Sequence, residues 1–169
     1  MGPLHTYSAT VTWTGAGTTG TASYTSYSRN HEVALPGKPL LLGTSDPAFR
    51  GDPERYTPEE LFVTSLSQCH MLWFLHLAAV EGVVVTGYVD QAAGRMRIEA
   101  QGAGQFTEMV LRPRITLASP TTKAGEPVTD ALVARLHEKA HQHCFIARSV
   151  NFPVHLDPVP LERGAALPS

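Results

Sequence analysis

The chain has 169 residues, enough for one domain that buries roughly two-thirds of the surface its unfolded form exposes, so a core can form without disulfide or metal staples. With 43% apolar residues, 17% charged residues and a formal net charge of -2, it has neither the composition of a disordered chain nor the basic surface of a nucleic-acid binder. The start, MGPLHTYSATVTW, has no basic segment leading into an apolar run, and the most apolar later stretch is interrupted by Gln68, His70 and His76, so neither export nor a membrane span is expected.

The N-terminal third reads as strands. Tyr7, Ala9, Val11 and Trp13 alternate with Ser8, Thr10 and Thr12, the period of a half-buried strand, and Gly15 to Gly20 supplies a turn into a hairpin. Thr21 to Ser28 and Glu32 to Leu35 are further β-prone segments, and Pro36-Gly37 forms a turn because Pro presets φ and Gly allows it to be positive. Gly43 to Tyr56 holds Pro, Gly and acidic residues without periodicity and reads as an exposed loop of the kind that serves a site.

A long helix from Pro58 to Glu81 follows. Thr57 caps it, Glu60 completes a T-x-x-E capping box, and Gly82 stops it. Phe62, Leu66, Cys69, Trp73, Leu77 and Val80 fall on one stripe, and further apolar residues on the other faces predict a helix surrounded by its own sheet and a second subunit. Period two then returns. Val83 to Gln91 and Arg95 to Ala100 flank Ala92-Ala93-Gly94 as a hairpin, and Met109 to Leu117 is a strand in which Pro113 marks an edge or a bulge. Thr129 or Asp130 caps a second helix through His141, with Leu132, Val133, Leu136 and Ala140 inward. Cys144 comes next, CFIARS reads as a helical turn and Asn151 to Leu156 as a last strand. No internal repeat is visible, and residues 1–169 read as a single domain with a core over 5–157 and a tail over 158–169.

Two cysteines, far apart and without a secretion signal, disfavour a disulfide scaffold and point to the cytoplasm, where they either pack inertly or do redox chemistry. A thiol attacks a peroxide only as thiolate, which needs a cation or oriented donors, and the resulting sulfenic acid needs a second thiol within reach.

Pro58-Glu59-Glu60-Leu61-Phe62 followed by Ser67-Gln68-Cys69, together with Ala140 to Val154 (AHQHCFIARSVNFPV), resembles the two motif segments of the OsmC/Ohr family, the osmotically inducible and organic hydroperoxide resistance proteins, in its OsmC-like branch. The resemblance implies an α+β fold of antiparallel sheets around a long central cysteine helix, in an intertwined homodimer. It implies a cysteine peroxidase acting in oxidative stress defence. Cys69 then attacks an organic hydroperoxide or hydrogen peroxide, Cys144 resolves, and a dihydrolipoyl or thioredoxin-like dithiol protein reduces the disulfide. No cofactor or metal is implied, nor a nucleic-acid or membrane partner. Glu59 matches the acidic residue that positions a catalytic arginine. It lies ten residues from Cys69, about 15 Å along a straight helix, so it would serve the partner subunit's Cys69. Arg29 best matches the arginine by position, with Arg50, Arg55 and Arg148 as the other candidates, although the Gly-rich surroundings of that arginine and the C-P-x-S form at Cys144 are absent.

His137, His141, His143 and Cys144 have a spacing that a zinc site can use, against which stands a helix end whose dipole suits histidine. His70 points about 100° away from Cys69 and reads as packing rather than as its base. Trp73, Phe62 and Phe145 read as core, with a vestibule favouring organic peroxides as a second role. The alternatives are an OsmC-like thiol redox protein acting on another partner, and a small-molecule-binding dimer without peroxidase activity.

Overall fold

A computed structural model describes residues 2–161; the last part of the tail expected over 158–169 lies outside them. The chain forms two compact units that divide between Phe62 and Val63. The fold is α+β, as expected, with antiparallel sheets and a long helix.

In the first unit, β1 (Thr10–Trp13), β2 (His31–Ala34) and β3 (Leu41–Gly43) form an antiparallel sheet in that order. The Pro36-Gly37 turn is present, with Gly37 at φ 70° and the Lys38 N–H donating to Leu35 O. Strand β1 begins only at Thr10 and its apolar side is uncovered, Tyr7 and Val11 being 89% and 65% exposed, so the expected half-buried face is not buried by this chain. Thr21 to Ser28 is not a strand. Its side chains bond the local backbone instead, Ser26 Oγ donating to Gly20 O and Ser23 O and the Arg29 guanidinium donating to Tyr24 O and Tyr27 O, which competes with ladder pairing. The loop after β3 is pinned by buried Thr44, whose hydroxyl donates to Asn30 Oδ1 and accepts from Asp52 N.

Helix α1 (Pro58–Val80) opens on the expected capping box: Thr57 N–H donates to Glu60 Oε2 at 2.8 Å and Glu60 N–H to Thr57 Oγ1 at 3.2 Å. It ends at Gly82, whose φ of 71° lets Val83 N–H turn back to Ala78 O. Its buried line is Leu66, His70, Phe74 and Ala78, rather than the expected stripe through Cys69 and Trp73. By length and composition α1 is apolar enough to cross a membrane, yet only 22% of its most apolar window is buried within the chain.

In the second unit, β4 (Val85–Asp90) pairs antiparallel with β7 (Pro113–Leu117), and β5 (Ala93–Ile98) pairs antiparallel with β6 (Gly104–Leu111), which takes β8 (Val154–Leu156) in parallel on its other side. The hairpin expected around Ala92-Ala93-Gly94 is therefore replaced by a crossing between sheets. The Asp90 carboxylate explains the departure, since it accepts from Arg112 N–H at 2.7 Å and ties the end of β4 to the break between β6 and β7. The single strand expected over Met109 to Leu117 is split there, with Pro113 as the first residue of β7. Helix α2 (Asp130–His143) is capped by Thr129, whose Oγ1 accepts from Leu132 N–H. Phe74 and Ala78 of α1, Ile115 of β7 and Val133, Leu136 and Ala140 of α2 close the core with Val83 and Val128.

Candidate active site

Packing α1 against α2 brings together the two cysteines of the chain. Cys69 sits midway along α1 and is partly exposed, while Cys144 caps the C-terminus of α2 and is fully buried. Cys144 keeps the helical lattice, because its N–H still donates to Ala140 O and His141 O. Its thiol lies near enough to Cys69 for that neighbour to hold back its ionisation, and it accepts from the Ala147 N–H at 3.4 Å. Burial, and then the neighbouring Cys69 thiol, push the Cys144 thiol up to about 12 against the opposing pull of the Ala147 and Ile146 amides. Cys144 thus stays protonated at neutral pH beside Cys69, the less buried residue of the two. A dithiol arranged in this way has one member open to an electrophile and another waiting behind it.

Beside the cysteines lies a buried polar pair. His70 Nε2 and His137 Nδ1 are 3.0 Å apart with ring planes at 7°, and His137 stacks on Phe74 at 4.1 Å. Burial holds both below the usual imidazole range, His70 at about 3 and His137 at about 4, with further repulsion on His70 from His137 and His141. Both rings are neutral at physiological pH. Nδ1 of His70 and Nδ1 of His141 are buried without a partner among the described residues. His70 is a packing residue, as read from its helical angle, but its polar partner on α2 was not foreseen.

The zinc-type spacing on α2 does not converge. His137 turns to His70, exposed His143 places Nδ1 2.8 Å from Lys139 O, and Cys144 faces Cys69, so no group of three ligating side chains forms among the described residues.

The other candidates are held as follows. Glu59 lies in the first turn of α1 with Oε2 buried and unpaired, and Arg55 donates through Nε to Asp52 at 3.4 Å with another nitrogen buried and unpaired. Arg29 lies over the rings of Tyr24 and Tyr27, 4.4 and 4.2 Å from their centroids, and has no carboxylate partner among the described residues. Arg50 occupies a left-handed turn at φ 69°, and exposed Arg148 donates to Gln142 O at 3.4 Å. Glu59, Arg29, Arg50 and Arg55 all belong to the first unit, whereas the cysteines and Arg148 belong to the second.

Trp73, Gln142, His143, Phe145 and Arg148 line a cleft of about 460 Å³ beside Cys144. Phe145 is 67% exposed and meets Trp73 edge-to-face, so it is a wall of this cleft and not core. Two further groups escaped the sequence reading. Ser67 Oγ donates to Asp90 Oδ2 at 2.6 Å, and Tyr88 has a buried, unpaired hydroxyl raised above the ordinary tyrosine range by burial and by Asp90. A serine and a histidine inside an apolar helical run were the available signals, but their partners lie far along the chain.

The fold and the site define an α+β protein with a helix-borne pair of thiols. The OsmC-like protein family model matches residues 51–158. An OsmC-like protein of unknown function from Vibrio cholerae is 33% identical, covering 92% of this chain and 100% of that chain with a TM-score of 0.79. An organic hydroperoxide resistance protein from Elizabethkingia anophelis is 19% identical, covering 96% and 100% with a TM-score of 0.69. Another from Legionella pneumophila is 16% identical, covering 95% and 100% with a TM-score of 0.68. The latter two share the fold. No curated protein matches the sequence. The chain belongs to the OsmC/Ohr family.

Proposed function

We propose that this protein is a two-cysteine peroxidase of the cytoplasm. The Cys69 thiolate attacks the O–O bond of an organic hydroperoxide, the alcohol leaves after protonation, and Cys69 becomes a sulfenic acid. Cys144 condenses with it, water leaves, and a dihydrolipoyl or thioredoxin-like dithiol reduces the resulting disulfide. The observation that carries this reading is the proximity of the two cysteines, Cys69 partly exposed and Cys144 buried, close enough that Cys69 perturbs the Cys144 thiol. Arg29 supplies positive charge to the thiolate and Glu59 orients it; Arg29 carries a charge that no carboxylate neutralises among the described residues.

The working form is a homodimer. A helix of 23 residues that buries only Leu66, His70, Phe74 and Ala78, with Leu72 and Val80 62% and 70% exposed, supports cover by a second copy. The cleft walled by Trp73 and Phe145 favours substrates with an apolar body.

The test is consumption of an alkyl hydroperoxide by the reduced protein with a dithiol reductant. Cys69→Ser abolishes turnover, and Cys144→Ser reacts once and then accumulates sulfenic acid. Retained turnover in Cys69→Ser overturns the reading. A second reading, a thiol redox or small-molecule-binding protein of the same fold, rests on the cleft; it requires ligand binding that survives Cys69→Ser and no peroxide consumption.

A further inference from the structure

The resolving thiol has a chemical difficulty. Fully buried, with its thiol pushed up to about 12 by burial, Cys144 is almost entirely protonated near neutrality, whereas it must attack as thiolate. A base within reach is therefore required. The titratable groups around the cluster are Cys69 and His70 from α1, Tyr88 from β4, and His137, His141 and Cys144 from α2. His70 and His137 share a hydrogen bond at 3.0 Å in a buried setting that holds them at about 3 and about 4, too weakly basic to take a thiol proton near neutrality, His143 turns to the Lys139 carbonyl, and exposed His76 lies edge-on to Trp73. His141 is what remains. It lies three residues before Cys144 on the helical lattice that the Cys144 N–H preserves, which sets the two Cβ atoms about 5–6 Å apart on one face. It lies four residues after His137, whose ring meets His70, and so shares the face of α2 that packs on α1. Its Nδ1 is buried and unpaired.

We propose that His141 is the base of the resolving step, taking the Cys144 proton directly or through one water as Cys144 Sγ attacks the Cys69 sulfenic acid. The S–S bond forms and the Cys69 S–O bond breaks. The departing hydroxide takes the proton back from His141 and leaves as water. The Cys69 sulfur is reduced and the Cys144 sulfur oxidised, so no outside redox partner enters this step. The inference rests on the peroxidase reading.

A single-turnover experiment separates the two. Reduced protein is mixed with one equivalent of an alkyl hydroperoxide; peroxide loss reports the first step, and disappearance of dimedone-reactive sulfenic acid, read by intact mass, reports the second. His141→Gln and His141→Ala keep the first step and slow the second by about a hundredfold near pH 7, the slowing easing as pH rises and hydroxide replaces the base. Added imidazole restores the second step in His141→Ala, which a purely structural role would not allow, and Glu138→Gln on the exposed face of α2 leaves both steps unchanged. Disulfide formation at the wild-type rate in both His141 variants overturns the proposal while leaving the peroxidase reading intact. A wild-type protein that never forms the sulfenic acid overturns both.

Discussion

His70 Nε2 lies 3.0 Å from His137 Nδ1, joining α1 to α2 through a hydrogen bond between two buried neutral imidazoles one residue from Cys69. The contact makes the fold sensitive to acid. Both groups titrate lower in the folded protein than in the unfolded chain, where histidine takes up a proton near pH 6.5, so below that point the unfolded state binds more protons and stability falls. Stability is unaffected by this pair above about pH 7 and drops by about 2 kcal/mol per histidine on reaching about pH 5. Urea unfolding at several pH values measures the slope. His137→Leu removes one titrating group and flattens it, although the same change strands His70 Nε2 and lowers stability near neutrality by about 1–3 kcal/mol. An equally steep acid slope in His137→Leu would contradict the assignment.

Asp90 joins α1 and β4 to the break before β7, accepting from Ser67 Oγ at 2.6 Å and from Arg112 N–H at 2.7 Å. Asp90→Ala leaves both donors without their acceptor and costs about 2–4 kcal/mol, while Ser67→Ala, which keeps the Arg112 bond, costs about 1 kcal/mol. Equal destabilisation by the two substitutions in chemical unfolding would show that the Arg112 bond contributes nothing.

Local signals were legible in the sequence where their partners lie within a few residues. The Thr57–Glu60 capping box, the Gly82 stop, the Pro36-Gly37 turn and the Thr129 cap all close over short spans, so residue type alone specifies them. What distant residues decide was hidden. Val85–Asp90 alternates as a hairpin strand should, yet it pairs with Pro113–Leu117 because Asp90 is fastened to Arg112. The inward line of α1 passes through His70 and not Cys69 because His137, 67 residues away, satisfies the imidazole. Motif resemblance supplied the cysteine pair that periodicity did not. The resolving histidine went unread because its relation to Cys144 depends on which way α2 faces.

Arg29 is stacked on Tyr24 and Tyr27 with its charge not neutralised by a carboxylate among the described residues. If it supports the Cys69 thiolate, Arg29→Ala slows alkylation of Cys69 by iodoacetamide near pH 7 by about tenfold, and Arg148→Ala changes it less than about twofold. A larger effect from Arg148→Ala would move the role to the second unit.

The uncovered apolar surface of α1 calls for a partner copy. Sedimentation at micromolar concentration shows a dimer, and Leu72→Glu, a change at a position 62% exposed in the single chain, shifts the population to monomer. Because Glu59 is assigned to the partner's site, the monomeric variant loses hydroperoxide consumption as well. A fully active monomer would refute both the assembly and the shared site.

The contact between Cys69 and Cys144 is tested most directly by intact-mass analysis after reduced protein meets one equivalent of alkyl hydroperoxide without reductant. The expected product is lighter than the reduced chain by two hydrogen atoms, returns to the original mass with a dithiol, and yields on digestion a peptide pair joined through Cys69 and Cys144. A chain that keeps both thiols free while the hydroperoxide persists would contradict the central claim.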